Sequence, residues 1–250
     1  MKLTGNTILI SGGTAGIGLE IAKLLSTGNK VIITGRDQAR LDKALALLPG
    51  VTGIRSDISD NNQADELVAR LQEEFPDLNM VINNAGRATV YNIADSGKAY
   101  AYASEEMNTN FLSVVRLNDA LLPSLKEKKS AAIVNVSSVV AFAGSTILTT
   151  YAASKAALHS YSRILRFALK DTPVKVFELM PPLVNTEFSR EIGGEHGIAP
   201  ELVARHLADG LTNDQYEIHS GNTEDIYQVY LGSPEKALEL INQSREKSAV

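Results

Sequence analysis

Cysteine and tryptophan are absent from the 250 residues. Without cysteine there can be no disulfide, no thiolate nucleophile and no cysteine-ligated zinc or iron–sulfur centre. The four histidines, His159, His196, His206 and His219, show no metal-ligand spacing, so no metal site is expected. Basic residues are in the minority, 24 against 29 acidic ones for a formal net charge of −5, and no long basic run occurs. That argues against a nucleic-acid partner. The opening MKLTGNTILISGG passes straight into a strand-like run and lacks the apolar core and cleavage site of a signal peptide. One uncharged run, 130–154, is long enough by count to span a bilayer. It carries Asn135, Ser137, Ser138, Ser145, Thr146, Thr149, Thr150 and Tyr151, which is too polar for lipid. A cytoplasmic protein with no membrane partner is therefore expected. What is present suits a substantial core: 44% of residues are hydrophobic and 21% charged. By surface scaling, a chain of this length buries roughly 70–75% of its unfolded surface.

Short apolar runs alternate with longer segments of helical period. The runs lie at 7–10, 30–34, 51–54, 79–82, 132–136, 174–177 and 215–219, and the first six are bounded by Gly, Asn, Asp, Ser or Pro. Several are apolar almost throughout, which suits parallel strands covered on both faces. Helices are predicted over 18–26, 39–48, 63–75, 105–125, 151–170, 200–209 and 234–243. This order predicts an α/β fold, a Rossmann-type doubly wound parallel sheet of about seven strands with helices on both faces. No linker or repeat interrupts it, so 1–250 reads as one domain.

Directly after the first strand comes Ser11-Gly12-Gly13-Thr14-Ala15-Gly16-Ile17-Gly18, and then a helix. Glycines there allow a tight turn and a close backbone approach to a pyrophosphate, whose charge sits at the helix N-terminus. Gly12, Thr14, Gly16, Ile17 and Gly18 are the candidate phosphate-binding residues. No Lys-Ser or Lys-Thr pair follows, which excludes a Walker loop. The second strand ends in Gly35-Arg36-Asp37. A carboxylate at this edge would accept the adenosine ribose of NAD, whereas a guanidinium can hold the extra phosphate of NADP. Arg36 favours NADP(H), with NAD(H) the alternative; Asp37 falls two residues late and could simply start the next helix.

Tyr151 and Lys155 are one helical turn apart and share a face. A tyrosine titrates near ~10, and a neighbouring ammonium lowers that value, which makes the pair a usable general acid/base. Alone, this spacing more often marks an exposed helix face. The strand at 132–136 delivers Ser137 and Ser138 at its carboxyl end, the edge where open α/β sheets hold ligands. His159, four residues past Lys155, is more simply a packed helix residue.

SGGTAGIG, Asp57, Asn83-Asn84-Ala85-Gly86, Asn110, Ser138 and Tyr151-Ala-Ala-Ser-Lys155 follow one another in a characteristic order and spacing. In these features, spread from Gly12 to about Pro200, the chain resembles the compact branch of the short-chain dehydrogenase/reductases. Its N-terminal half is also similar to oxidoreductases encoded beside teichoic-acid D-alanylation genes in Gram-positive bacteria. The resemblance implies that Tyr151 exchanges the substrate proton, that Lys155 lowers its pKa and binds the nicotinamide ribose, and that Ser138 polarises the carbonyl. It implies that Asn110 holds a relay water, that Asp57 contacts adenine, and that Asn84, Ala85 and Gly86 line the adenosine half. Asn110 could instead cap or kink its helix, and Asp57 could be an N-cap. The resemblance further implies that Val184 and Thr186 fall in the nicotinamide-binding segment. Two departures stand out. Pro181-Pro182 replaces the usual Pro-Gly, and proline cannot take the positive φ open to glycine. Ser113 stands where glycine is also usual.

The reaction expected is hydride transfer between nicotinamide and a small, fairly apolar carbonyl or alcohol, since the loops that could cover the cofactor carry no basic cluster. Those loops are 89–103, 141–148 and 183–210, and the Gly193-Gly194 pair with Gly197 suggests a lid around 187–214. A regulatory or scaffold protein that binds the dinucleotide with little turnover is the alternative, although no catalytic group is missing. Phe111, Val114, Val115, Leu158, Ile164 and Phe167 offer more apolar surface than one sheet face needs, and the resemblance implies dimers or tetramers through their two helices.

Overall fold

The computed structural model describes residues 1–246. Among them, seven strands form one parallel sheet: β1 (Thr7–Ser11), β2 (Lys30–Gly35), β3 (Thr52–Arg55), β4 (Leu78–Asn83), β5 (Ala131–Val136), β6 (Val174–Met180) and β7 (Glu217–His219), in the order β3-β2-β1-β4-β5-β6-β7. The chain winds outward from β1 in one direction and from β4 in the other, so the carboxyl ends of β1 and β4 flank a crevice. All seven expected strands are present.

Helices α1 (Gly16–Ser26), α2 (Gln38–Ala46) and α7 (Pro200–Thr212) pack on one face, against Ile8, Ile10, Ile33, Ile82, Val134 and Leu179. Helices α3 (Asn61–Glu74), α5 (Ser113–Lys126) and α6 (Thr149–Ala168) pack on the other, against Leu9, Ile32, Val81, Ile133 and Val176. Asp37 caps α2 through the Arg40 amide at 2.9 Å, and Asp60 caps α3 through the Gln63 amide at 3.0 Å.

Three differences from the expected elements matter for the site. Helix α4 (Ala99–Met107) starts six residues before the helix predicted at 105, because Ala99-Tyr-Ala-Tyr-Ala is a good helix former inside a stretch read as loop. It joins α5 through one π-helical turn, Asn108–Leu112. Helix α8 (Thr223–Gly232) was not anticipated and pairs with α9 (Pro234–Glu246). Of the residues expected on an association surface, Val114 and Leu158 lie inside the core, while Ile164 and Phe167 are exposed together with Leu112. None of the described helices is long and apolar enough to cross a membrane.

Candidate active site

The loop after β1 is braced against the end of β4. The Asn84 side chain donates to the Ser11 and Gly12 carbonyls at 3.1 and 3.0 Å, and the Ser11 hydroxyl accepts the Asn84 and Ala85 amides. Gly12 has φ +66°, and a Cβ there would stand 2.8 Å from the Ala85 backbone; one on Gly18 would stand 2.4 Å from the Gly12 carbonyl oxygen. No larger residue fits either place. Helix α1 has Ala15 at its N-cap and so no side-chain cap, which leaves its first amides available to an anion. This glycine cradle under an uncapped helix end fits a dinucleotide pyrophosphate. Asn84 and Ala85 thus build the cradle.

At the end of β2, a Cβ on Gly35 would lie 2.5 Å from the Thr14 methyl, so this slot has no room for the ribose-binding acid of an NAD site. Asp37 is committed to capping α2, and Arg36 is left exposed at the edge. Asp57 is not the N-cap of α3; its Oδ1 accepts the amide and hydroxyl of Ser59 in a tight turn.

The catalytic candidates converge at the carboxyl end of β5. Tyr151 lies in the first turn of α6 and Lys155 one turn on, with its ammonium 5.6 Å from the Tyr151 ring centre and donating to the Val136 carbonyl at 2.8 Å. Asn110 sits in the π turn; its amide group donates to the Arg87 carbonyl at 2.8 Å and the Ser154 hydroxyl at 2.9 Å, and its oxygen accepts the Arg87 amide. Gly86 faces both Asn110 and Lys155. Of the two serines, Ser137 is turned away and donates to Glu178, whereas Ser138 donates to the Pro181 carbonyl at 3.4 Å and stands where its hydroxyl favours the Tyr151 phenolate.

The electrostatics differ from expectation. Burial raises Tyr151 well above the ordinary tyrosine range; the Ser138 hydroxyl opposes this and the Glu106 carboxylate adds to it. The phenol lies beneath Phe188, whose ring centre is 6.0 Å away, and the lysine is spent on Val136. Desolvation therefore outweighs the stabilisation anticipated from the ammonium. Lys155 itself is lowered to about 8 by burial, with Glu178 acting in the opposite direction.

Pro182 resolves simply. Asp214 is the one non-glycine with positive φ among the described residues, so the position after Pro181 does not use the conformation that glycine would permit. The following segment is pinned by a bridge between Val184 and Ile198, and Thr186 packs over Gly16. Ser113 donates to the Thr109 carbonyl at 2.6 Å, within the π turn. The span 187–214 divides in two. Its second part, α7, is core, with Val203, Leu207 and Leu211 buried. Its first part carries Phe188 and Glu187, the latter held by the fork of Arg40 at 2.9 and 3.3 Å.

Several contributors were not legible beforehand. Helices α8 and α9 cover the loop at 141–148, where Ala143, Leu148, Tyr151, Ile226 and Ala237 share one apolar cluster. Asn242 accepts the Thr146 amide at 2.9 Å and donates to the Gly144 carbonyl at 3.0 Å. Glu106, fully buried, accepts the Thr89 amide at 2.7 Å, and burial raises its carboxyl. Glu178, also fully buried, meets His159 Nδ1 at 3.0 Å. A lone acid inside Val-Lys-Val-Phe-Glu-Leu-Met was the available signal.

Known proteins resemble this chain in sequence and fold. A family model described as short chain dehydrogenase matches residues 6–213. The chain is 41% identical over 224 residues to the uncharacterized oxidoreductase DltE of Bacillus subtilis, covering 87% of this chain and 89% of that one. A short chain dehydrogenase from Burkholderia cenocepacia in complex with NADP superposes with a TM-score of 0.83 at 25% identity, covering 96% of this chain and 98% of that one. A short chain dehydrogenase/reductase from Burkholderia phymatum in complex with NAD has the same fold, with a TM-score of 0.85 at 20% identity over 92% and 93% of the two chains.

Proposed function

Since the chain belongs to the short-chain dehydrogenase family, we propose that it is a nicotinamide-dependent oxidoreductase that uses NADP(H) in preference to NAD(H) to interconvert a small apolar carbonyl compound and its alcohol. The observation that carries this reading is the convergence of Tyr151, Lys155, Ser138 and Asn110 beside the glycine cradle. A bound nicotinamide supplies or accepts the hydride. The remaining work belongs to the chain. Ser138 aligns the substrate oxygen with the Tyr151 phenol, and Tyr151 passes the proton. Lys155 contributes its charge below pH ~8 and loses that charge above it, which sets the alkaline side of the reaction. A phenol held protonated by burial is a proton donor, which favours carbonyl reduction at neutral pH.

Arg36 at the edge of β2, with Gly35 closed by Thr14, supports the NADP(H) preference. The cluster of Val139, Val140, Phe142, Ile147 and Ile192 around Tyr151 supports an apolar substrate. Exposed Leu112, Ile164 and Phe167 support association through α5 and α6. The deciding experiment follows oxidation of NADPH and NADH against a panel of ketones and aldehydes. We expect turnover with NADPH on the apolar members, and a loss of about 10²–10⁴-fold in kcat for Tyr151→Phe with cofactor affinity retained. Unchanged turnover in that variant removes the assignment, and cofactor binding without turnover on any member points to a regulatory binder.

A further inference from the structure

We propose that Glu178 is a positioning residue for Lys155, a buried counter-charge locked in place by Ser137 and His159. The inference rests on the Tyr151–Lys155 reading above and adds a carboxylate to it. On β6, Glu178 occupies the α6 side of the sheet near the carboxyl end, in register with Asn135 on β5. The Val136 carbonyl takes the Lys155 ammonium at 2.8 Å, and the next residue, Ser137, donates its hydroxyl to Glu178 Oε1 at 2.5 Å. Lysine and glutamate are thus tied to consecutive residues, the last of β5 and the one after it. From the helix side, His159, one turn beyond Lys155, brings Nδ1 to 3.1 and 3.0 Å from the two carboxylate oxygens.

Glu178 is fully buried, and burying a carboxylate is costly; an apolar residue of the same size would serve the strand better. The carboxylate's use is electrostatic. Lys155 is itself desolvated and holds its proton only to about 8, and the charge of Glu178 acts against that loss. Other charged groups lie on the elements around it, but they have partners of their own. Arg166 on α6 pairs with Glu217 on β7 at 2.8 Å, and His219 on β7 pairs with Glu224. The Tyr216 carbonyl receives the Glu178 amide and bears no charge. Lys155 is therefore the cationic group that faces this site from α6, and His159 reaches Glu178 through its ring Nδ1. If the ammonium at Lys155 were lost in the neutral range, Tyr151 would face a neutral amine and lose the charge that supports proton transfer.

The test is Glu178→Gln, nearly isosteric and uncharged, together with Glu178→Asp, which keeps the charge but draws it back by one methylene. Protein labelled with ¹³C at lysine Cε is titrated free of cofactor, with the Lys155 resonance assigned by its loss in Lys155→Arg. In the parent a midpoint of about 8, lowered by burial, is expected. We expect Glu178→Gln to move the midpoint down by about one pH unit, a tenfold loss of proton affinity, and Glu178→Asp to move it by a smaller step. The alkaline limb of kcat for carbonyl reduction should move by the same steps, with little change in KM for the carbonyl. A merely structural role would lower the melting temperature or the amplitude of kcat and leave both midpoints in place. Should the Gln variant fail to fold, the Asp variant is read in the same way. Lys155 titrating at the parent pH in the folded variants overturns the proposal. That readout needs no turnover, so it stands or falls separately from Tyr151→Phe.

Discussion

The two faces of the sheet are made by alternate residues of the same strands, yet they do different work. Under α1, α2 and α7 the inward positions are apolar from end to end: Ile8 and Ile10, Met80 and Ile82, Ala132 and Val134, Phe177 and Leu179. Under α3, α5 and α6 the strands begin the same way, with Leu9, Val81, Ile133 and Val176, and then turn polar at their carboxyl ends. There Asn83 donates to Asn118 and Asn135, Asn135 donates to Ser162, and Ser137 and His159 hold Glu178. A parallel sheet sends every carboxyl end to one edge, so a polar layer on one face of that edge puts all its members beneath a single site. One face holds the molecule together; the other, in the last residues of its strands, underlies the candidate site.

That contrast can be broken by experiment. The largest stability effect is expected on the dry face. Phe177 is fully buried and stacked on Tyr216 at 5.2 Å, and Phe177→Ala should cost about 3–5 kcal/mol in denaturant unfolding, since it leaves a cavity that the sheet cannot close. A loss under 1 kcal/mol would mean that the dry face is not where stability is stored. Asn135→Ala on the wet face should cost about 1–3 kcal/mol, because Ser162 and Asn83 each lose a buried partner. It should also impair turnover, which Phe177→Ala should not do in the folded fraction. Smallest of all is Tyr151→Phe. It removes one hydroxyl and no apolar packing, and should change stability by about 1 kcal/mol or less while having the greatest effect on the reaction. Equal stability costs across the three would erase the distinction.

Much of this was legible beforehand because parallel strands buried on both faces must be apolar almost throughout, and turn residues bracket them. Hence the strands, the glycine cradle and the Tyr151–Lys155 turn could all be read locally. The start of α4 and the whole of α8 escaped because tyrosine-rich and alanine-rich stretches have no strong period of their own. Glu106 and Glu178 escaped for another reason. Each is an acid whose burial depends on partners far along the chain, Thr89 for one, Ser137 and His159 for the other.

The uncharged run 130–154 shows where the boundary lies. Its composition was enough to exclude a membrane span and to place a buried strand, a small apolar loop and the first turn of a helix ending in Lys155. Local pattern settles such matters because backbone geometry and solvent exposure repeat with short periods. The protonation of Tyr151 was another matter. Sequence spacing put an ammonium beside a phenol and implied a lowered pKa; the folded chain buries the phenol under Phe188, spends the ammonium on Val136 and supports it with Glu178. A pKa is the balance of desolvation against every charge and dipole in reach, and only the tertiary structure decides which of these are in reach.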